Sequence, residues 1–213
     1  MKIGIVTQSY YPRYGGVTEH VHHTAVELRR RGHEVVIITS HFRRGEHENG
    51  DGVVRIGHNL LIPFNGAFVD LAVGLRLEGQ LRDLLCAGDF DLLHTHAPLV
   101  PTLPLMAIKA ASCAQVGTFH TTGGPSRLLE LMRGYLAPVV EKLDARIAVS
   151  PTARAHAMAS SSTMPKLSLP EAGETNTSPV AYQRARSAVG TWPRKRTAPR
   201  AAGDTERSNW LRR

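Results

Sequence analysis

The chain opens with a short β-branched run, Lys2 to Thr7, and a loop from Gln8 to Gly15. After it Val17, Val21, Ala25 and Leu28 recur at helical spacing until Gly32 supplies a stop, and a second apolar run follows from His33 to Thr39. Strand, glycine turn, helix and strand make one complete crossover unit. Further strands are predicted at Val53 to Ile56, Asp91 to His94, Val116 to Phe119 and Arg146 to Val149. Helices near Leu75 to Cys86, Thr102 to Ser112 and Ser126 to Leu143 separate most of them. Strands joined through helices pair in parallel, so the pattern predicts an α/β fold with a Rossmann-like, doubly wound parallel sheet. The apolar positions between Leu61 and Cys86 read as a sheet-packing helix, with an amphipathic surface for lipid contact as the alternative.

The pattern stops near Met158. Residues 159–213 contain only five Leu, Ile, Val or Phe, too few to offset the entropy of ordering the chain, so this stretch is expected to be a largely disordered tail or the product of a frameshift. Charge divides at the same place. The net charge of +8 splits into +2 over residues 1–158 and +6 over residues 159–213. A flexible basic tail suits anionic surfaces, nucleic acid among them, although it carries only Tyr182, Trp192 and Trp210 as stacking residues. Cys86 and Cys113 show no zinc or redox spacing and are expected to be small buried hydrophobes. No apolar run reaches the ~18 residues of a membrane span, and the first residues do not form a signal peptide, so a cytoplasmic location is expected.

Ligands of a doubly wound sheet bind at the carboxyl ends of its strands, where three features fall. Gly15-Gly16 lies between the first strand and a helix N-terminus. It reads either as a phosphate site, with backbone amides and the helix dipole facing an anion, or as a turn that needs positive φ. His120, after the strand Val116 to Phe119, projects into the same crevice or packs under a loop. His94 and His96 alternate on one strand face, but with no third metal ligand evident they read as structural hydrogen-bonding groups. His20, His22 and His23 do not form a zinc-protease motif and read as solvated or loop-packing. The glycine fingerprints for dinucleotides and for P-loop nucleotides are absent, as is a serine nucleophile elbow.

Taken in order, Lys2-Ile3-Gly4-Ile5-Val6, Tyr14-Gly15-Gly16-Val17, Arg31-Gly32-His33-Glu34-Val35, Pro63-Phe64-Asn65-Gly66, Phe90-Asp91-Leu92-Leu93-His94-Thr95-His96, Thr118-Phe119-His120-Thr121 and Ile147-Ala148-Val149-Ser150 form a series. It resembles the N-terminal domain of family 4 glycosyltransferases, in particular the phosphatidylinositol mannosyltransferase branch, over about residues 1–155. The resemblance implies a two-domain GT-B fold. Its N-terminal domain takes the acceptor, its C-terminal domain binds most of a nucleotide-sugar donor, and the hexosyl group (mannosyl or glucosyl) moves with retention and without metal or cofactor.

Carried over by position, Gly15 and Gly16 contact the donor diphosphate, His120 faces the transferred sugar as the catalytic residue, and Tyr10, Tyr11, Asn65 and Thr121 line the acceptor side. Two departures stand out. Asp70 occupies a position where that branch carries a basic residue and is expected to disfavour an anionic inositol-phosphate headgroup, and a lysine of the branch is replaced near Gly124-Pro125. The donor motif of the second domain is also missing, so the chain is expected to be inactive alone. The expected partners are a nucleotide-sugar and a lipid or sugar acceptor, with peripheral contact at the inner membrane face. The rival readings are a non-catalytic module that binds an acceptor or a partner subunit, and a nucleic-acid binder working through the tail.

Overall fold

A computed structural model of the protein describes residues 1–42, 52–64, 67–120, 127–154 and 167–168. The elements run β1 (Lys2–Val6), α1 (Gly16–Arg30), β2 (Glu34–His41), β3 (Val53–Phe64), β4 (Ala67–Val73), α2 (Leu77–Gly88), β5 (Leu92–His96), α3 (Leu103–Ala110), β6 (Ala114–Phe119), α4 (Arg127–Val140), β7 (Ala145–Ala148) and β8 (Leu167–Ser168). They build one eight-stranded sheet in the order β4-β3-β2-β1-β5-β6-β7-β8. Six of its seven strand pairs are parallel, and β3 with β4 is antiparallel.

Strand alternation sends side chains to two separate cores. Ile3, Ile5, Ile37, Leu92 and Val116 meet Val21, Ala25 and Leu28 of α1 on one face. Val6, Ile38 and Leu93 meet Leu81 and Leu84 of α2 and Leu103 of α3 on the other. Each fully buried Leu or Ile contributes about 1.5–3 kcal/mol by leaving water, so this two-sided covering is the main source of the sheet's stability. A smaller cluster packs Phe119 with Leu136, Val139 and Val140 of α4. Helix α1 stops as its sequence requires. Gly32 adopts φ 80°, and the amides of Gly32 and His33 turn back to the carbonyls of Arg29 and Leu28.

Two expectations are corrected. Residues 61–73 are not helical, because β3 continues to Phe64 and β4 returns beside it with Leu61 opposite Asp70 and Leu60 opposite Leu71. Apolar residues on both faces of this hairpin mimicked a helical stripe. The sheet consequently has an antiparallel edge strand that crossover logic alone does not supply. Cys86 is exposed, whereas Cys113 is half-buried and packs against the second core. Of residues 159–213, Leu167 and Ser168 pair in parallel with Arg146 and Ile147 of β7, and the rest lie outside the described residues.

Candidate functional site

The strand order sets β1, β5 and β6 side by side, so their carboxyl ends lie together. His96 is the last residue of β5 and lies in register with Thr118 of β6, two residues before His120. Its Nδ1 and the Nε2 of His120 are hydrogen-bonded at 2.9 Å, and the two rings stack at 5.2 Å. His20 projects from α1, just past its first turn, onto both, its ring centre 5.1 Å from that of His120 and 5.4 Å from that of His96. One face of α1 thus closes over the ends of β5 and β6.

His94, one alternation earlier on β5, bonds Thr118 Oγ1 through Nε2 at 2.7 Å and packs its ring 4.4 Å from that of His96, supporting the trio from below without sharing its nitrogen set. The expectation that His20 is solvated or loop-packed is overturned. It completes a three-imidazole cluster whose members lie 76 and 24 residues apart in sequence, a separation no local spacing rule detects.

Burial decides the protonation of this cluster, because charging an imidazole away from water is unfavourable. Desolvation holds His94 and His120 down at about 3, lowers His96 well below the usual imidazole range and lowers His20, with neighbouring histidines adding to the effect on His94, His96 and His120. All four are therefore neutral near pH 7, suited to donate or accept hydrogen bonds rather than to supply positive charge.

Four residues before His20, about 6 Å along the helix axis, α1 begins at Gly16. No side chain caps it at Gly15. The turn reading of the glycine pair fails here, since Gly15 is extended (φ 169°), Gly16 is not among the positive-φ glycines, and a Cβ at either would meet nothing within 4 Å. Both are exposed. Neither backbone strain nor a crowded protein neighbour calls for glycine. The pair leaves exposed amides at the positive end of a helix, four residues before His20.

The loop that carries these glycines is clamped by the β3–β4 hairpin. Arg55, buried on β3, donates to the carbonyl of Tyr11 at 2.6 Å and to that of Ser40 at 3.1 Å. Asp70, also buried, accepts from Arg13 Nη1 at 2.8 Å, from Asn59 Nδ2 at 2.7 Å and from the Ser9 hydroxyl. The expectation that Asp70 repels an anionic headgroup is therefore corrected, because its charge is met by Arg13 and its oxygens are taken by the loop it anchors.

Tyr10 lies in the core with its hydroxyl on His22 Nδ1 at 3.0 Å, and Tyr11 is half-buried with its hydroxyl on Glu19 at 2.8 Å. Asn65 and Thr121 lie outside the described residues, as do Gly124 and Pro125.

The described residues thus form a doubly wound, Rossmann-like domain with an uncapped helix start and a histidine cluster at its strand ends. Comparison with known proteins gives the family. Residues 14–161 match the Glycosyltransferase Family 4 model, and the chain belongs to this family. It is 37% identical over 157 residues to phosphatidyl-myo-inositol mannosyltransferase of Mycolicibacterium smegmatis, an alignment spanning 72% of this chain and 39% of the relative. Among solved structures, Anabaena HepE in complex with UDP and glucose superposes with a TM-score of 0.54 at 17% identity, over 89% of this chain and 50% of that one. A sucrose-phosphate synthase from Thermosynechococcus elongatus gives 0.54 at 16% identity over 88% and 97%. The chain thus spans about two-fifths of the length of its curated mannosyltransferase relative.

Proposed function

We propose that this domain is the acceptor-side half of a retaining hexosyltransferase that moves a mannosyl or glucosyl group from a nucleotide-sugar to a lipid or sugar acceptor. The observation that carries the reading is the contact between His20, four residues after the open Gly15-Gly16 amides, and His120. On this reading the amides stabilise the charge that grows on the departing diphosphate, by electrostatic preorganisation that needs no metal. His120, held neutral and oriented by His96, hydrogen-bonds the sugar near the reacting carbon. The neutralised Asp70 presents no free charge against an inositol-phosphate headgroup, the acceptor class that the mannosyltransferase relative's name suggests. Such an acceptor would bring the domain to the inner face of a membrane. No helix among the described residues is long and apolar enough to cross one.

The test is transfer from GDP-mannose or UDP-glucose, with and without an added donor-binding domain from a family relative. Turnover is expected only with the complementing domain. Replacing His120 with alanine should lower it by about 10²-fold or more, a loss typical of a removed proton-transfer or transition-state hydrogen-bonding group. An unchanged rate in His120→Ala would refute the assignment. Binding of the acceptor without transfer in any pairing would favour a non-catalytic module.

A further inference from the structure

We infer that His20, His96 and His120 form a binding site for one divalent d-block cation, Zn²⁺ being the best suited. Each of the three offers a ring nitrogen, and these atoms all lie within 4.8 Å of one another. Around a tetrahedral zinc with Zn–N bonds of about 2.0–2.1 Å, ligand nitrogens sit about 3.3 Å apart. The 2.9 Å pair between His96 and His120 needs to open by only a few tenths of an ångström to reach that spacing.

The side-chain types fit as well. Three imidazoles with no carboxylate form a borderline-soft nitrogen set that selects Zn²⁺, Cu²⁺, Ni²⁺ or Co²⁺ and discriminates against Mg²⁺ and Ca²⁺, which prefer oxygen. Imidazole ligates through an unprotonated ring nitrogen, and each of the three rings offers one to the cluster.

A second, independent observation concerns His96. It is fully buried, yet its Nε2 has no hydrogen-bond partner. The hydrogen bond between His96 and His120 leaves one of the two bonded nitrogens protonated. Because Nε2 of His96 is committed to nothing, that ring can move its proton from Nδ1 to Nε2 without breaking another hydrogen bond. Both facing nitrogens then present lone pairs with no net loss of a proton. His20 and His120 are half-buried and open the site to solvent on the crevice side, leaving a fourth coordination position for water.

Nothing in this arrangement requires the chain to handle a sugar. One consequence does rest on the transferase reading. A cation held by His120 removes it from the sugar, so Zn²⁺ would compete with the reaction rather than assist it.

The experiment is titration of the full chain, first stripped with chelator, with Co²⁺ followed by optical absorption and with Zn²⁺ followed by calorimetry. The expected result is one Co²⁺ per chain, with intense d–d bands of tetrahedral symmetry that Zn²⁺ displaces stoichiometrically. His20→Ala, a surface-helix change that leaves both strands intact, should weaken Zn²⁺ by at least tenfold. His96→Asn should do the same if circular dichroism shows it folded, and His23→Ala, a change at an exposed histidine outside the cluster, should not. Octahedral Co²⁺ spectra, binding that survives His20→Ala, or equal loss in His23→Ala would overturn the site. These readouts contain no transfer assay, so they fail or succeed independently of the proposed reaction.

Discussion

Replacing Asp70 with alanine tests how the hairpin holds the loop that carries the glycine pair. The carboxylate is 6% exposed and collects three donors, from Ser9, Arg13 and Asn59. Removing one partner of a buried ion pair costs about 3–5 kcal/mol, because the other charge is left without compensation. Arg13 retains 29% exposure, so water can reach it, and the lower end, about 3 kcal/mol, is the expected loss. Urea unfolding followed by circular dichroism should show the midpoint falling by about 1–3 M if the slope is in the usual range of about 1–3 kcal/mol/M.

Asp70→Asn keeps the shape but not the charge and should fall between wild type and Asp70→Ala. In a double-mutant cycle with Arg13→Ala, the two losses should fail to add by about 1 kcal/mol or more, as contacting residues do. Asp70→Ala within about 0.5 kcal/mol of wild type would refute the claim that this carboxylate anchors the loop.

Other consequences follow from the same packing. His94 titrates at about 3 when folded and near 6.5 when unfolded. Its contribution is therefore fully present above about pH 6.5 and is lost as pH falls towards 3, at about 1.4 kcal/mol per pH unit. Metal-free protein should lose stability between pH 7 and 5, His94→Gln should flatten that slope, and a stability independent of pH across the interval would contradict the burial argument. A Cβ on Gly117 would stand 2.6 Å from Leu143 Cδ1, whereas one on Gly79 meets nothing within 4 Å. Thermal unfolding should accordingly show Gly117→Ala destabilised by about 1–3 kcal/mol through overpacking and Gly79→Ala stabilised by about 0.5–1 kcal/mol through helix propensity.

The sequence made the β1-α1-β2 unit legible because each element there has one clean period and one stop, as at Gly32. The hairpin was misread for a physical reason. Leu60, Leu61 and Val73 are exposed apolar residues in this hairpin, so the polar-out alternation that marks a half-buried strand is missing. A usable signal was nevertheless present, since Asn65-Gly66 between two apolar runs marks a two-residue hairpin connection. The glycine pair and His120 were visible as strand-end residues. His20 and His96 were visible only as residues, because their meeting depends on β1, β5 and β6 being neighbours. Asp70 was misjudged because its partner Arg13 lies 57 positions away.

On the proposed reading, the open amides of Gly15 and Gly16 and the ring of His120 are two walls of one anion- and sugar-binding crevice. Titrating isotope-labelled protein with GDP and UDP while following amide and imidazole resonances measures this directly. The expected result is saturable shifts confined to Gly15, Gly16, the first turn of α1 and His120, abolished by Gly16→Val without loss of fold. Shifts at the glycines that leave His120 unmoved, or saturation that persists in Gly16→Val, would contradict it.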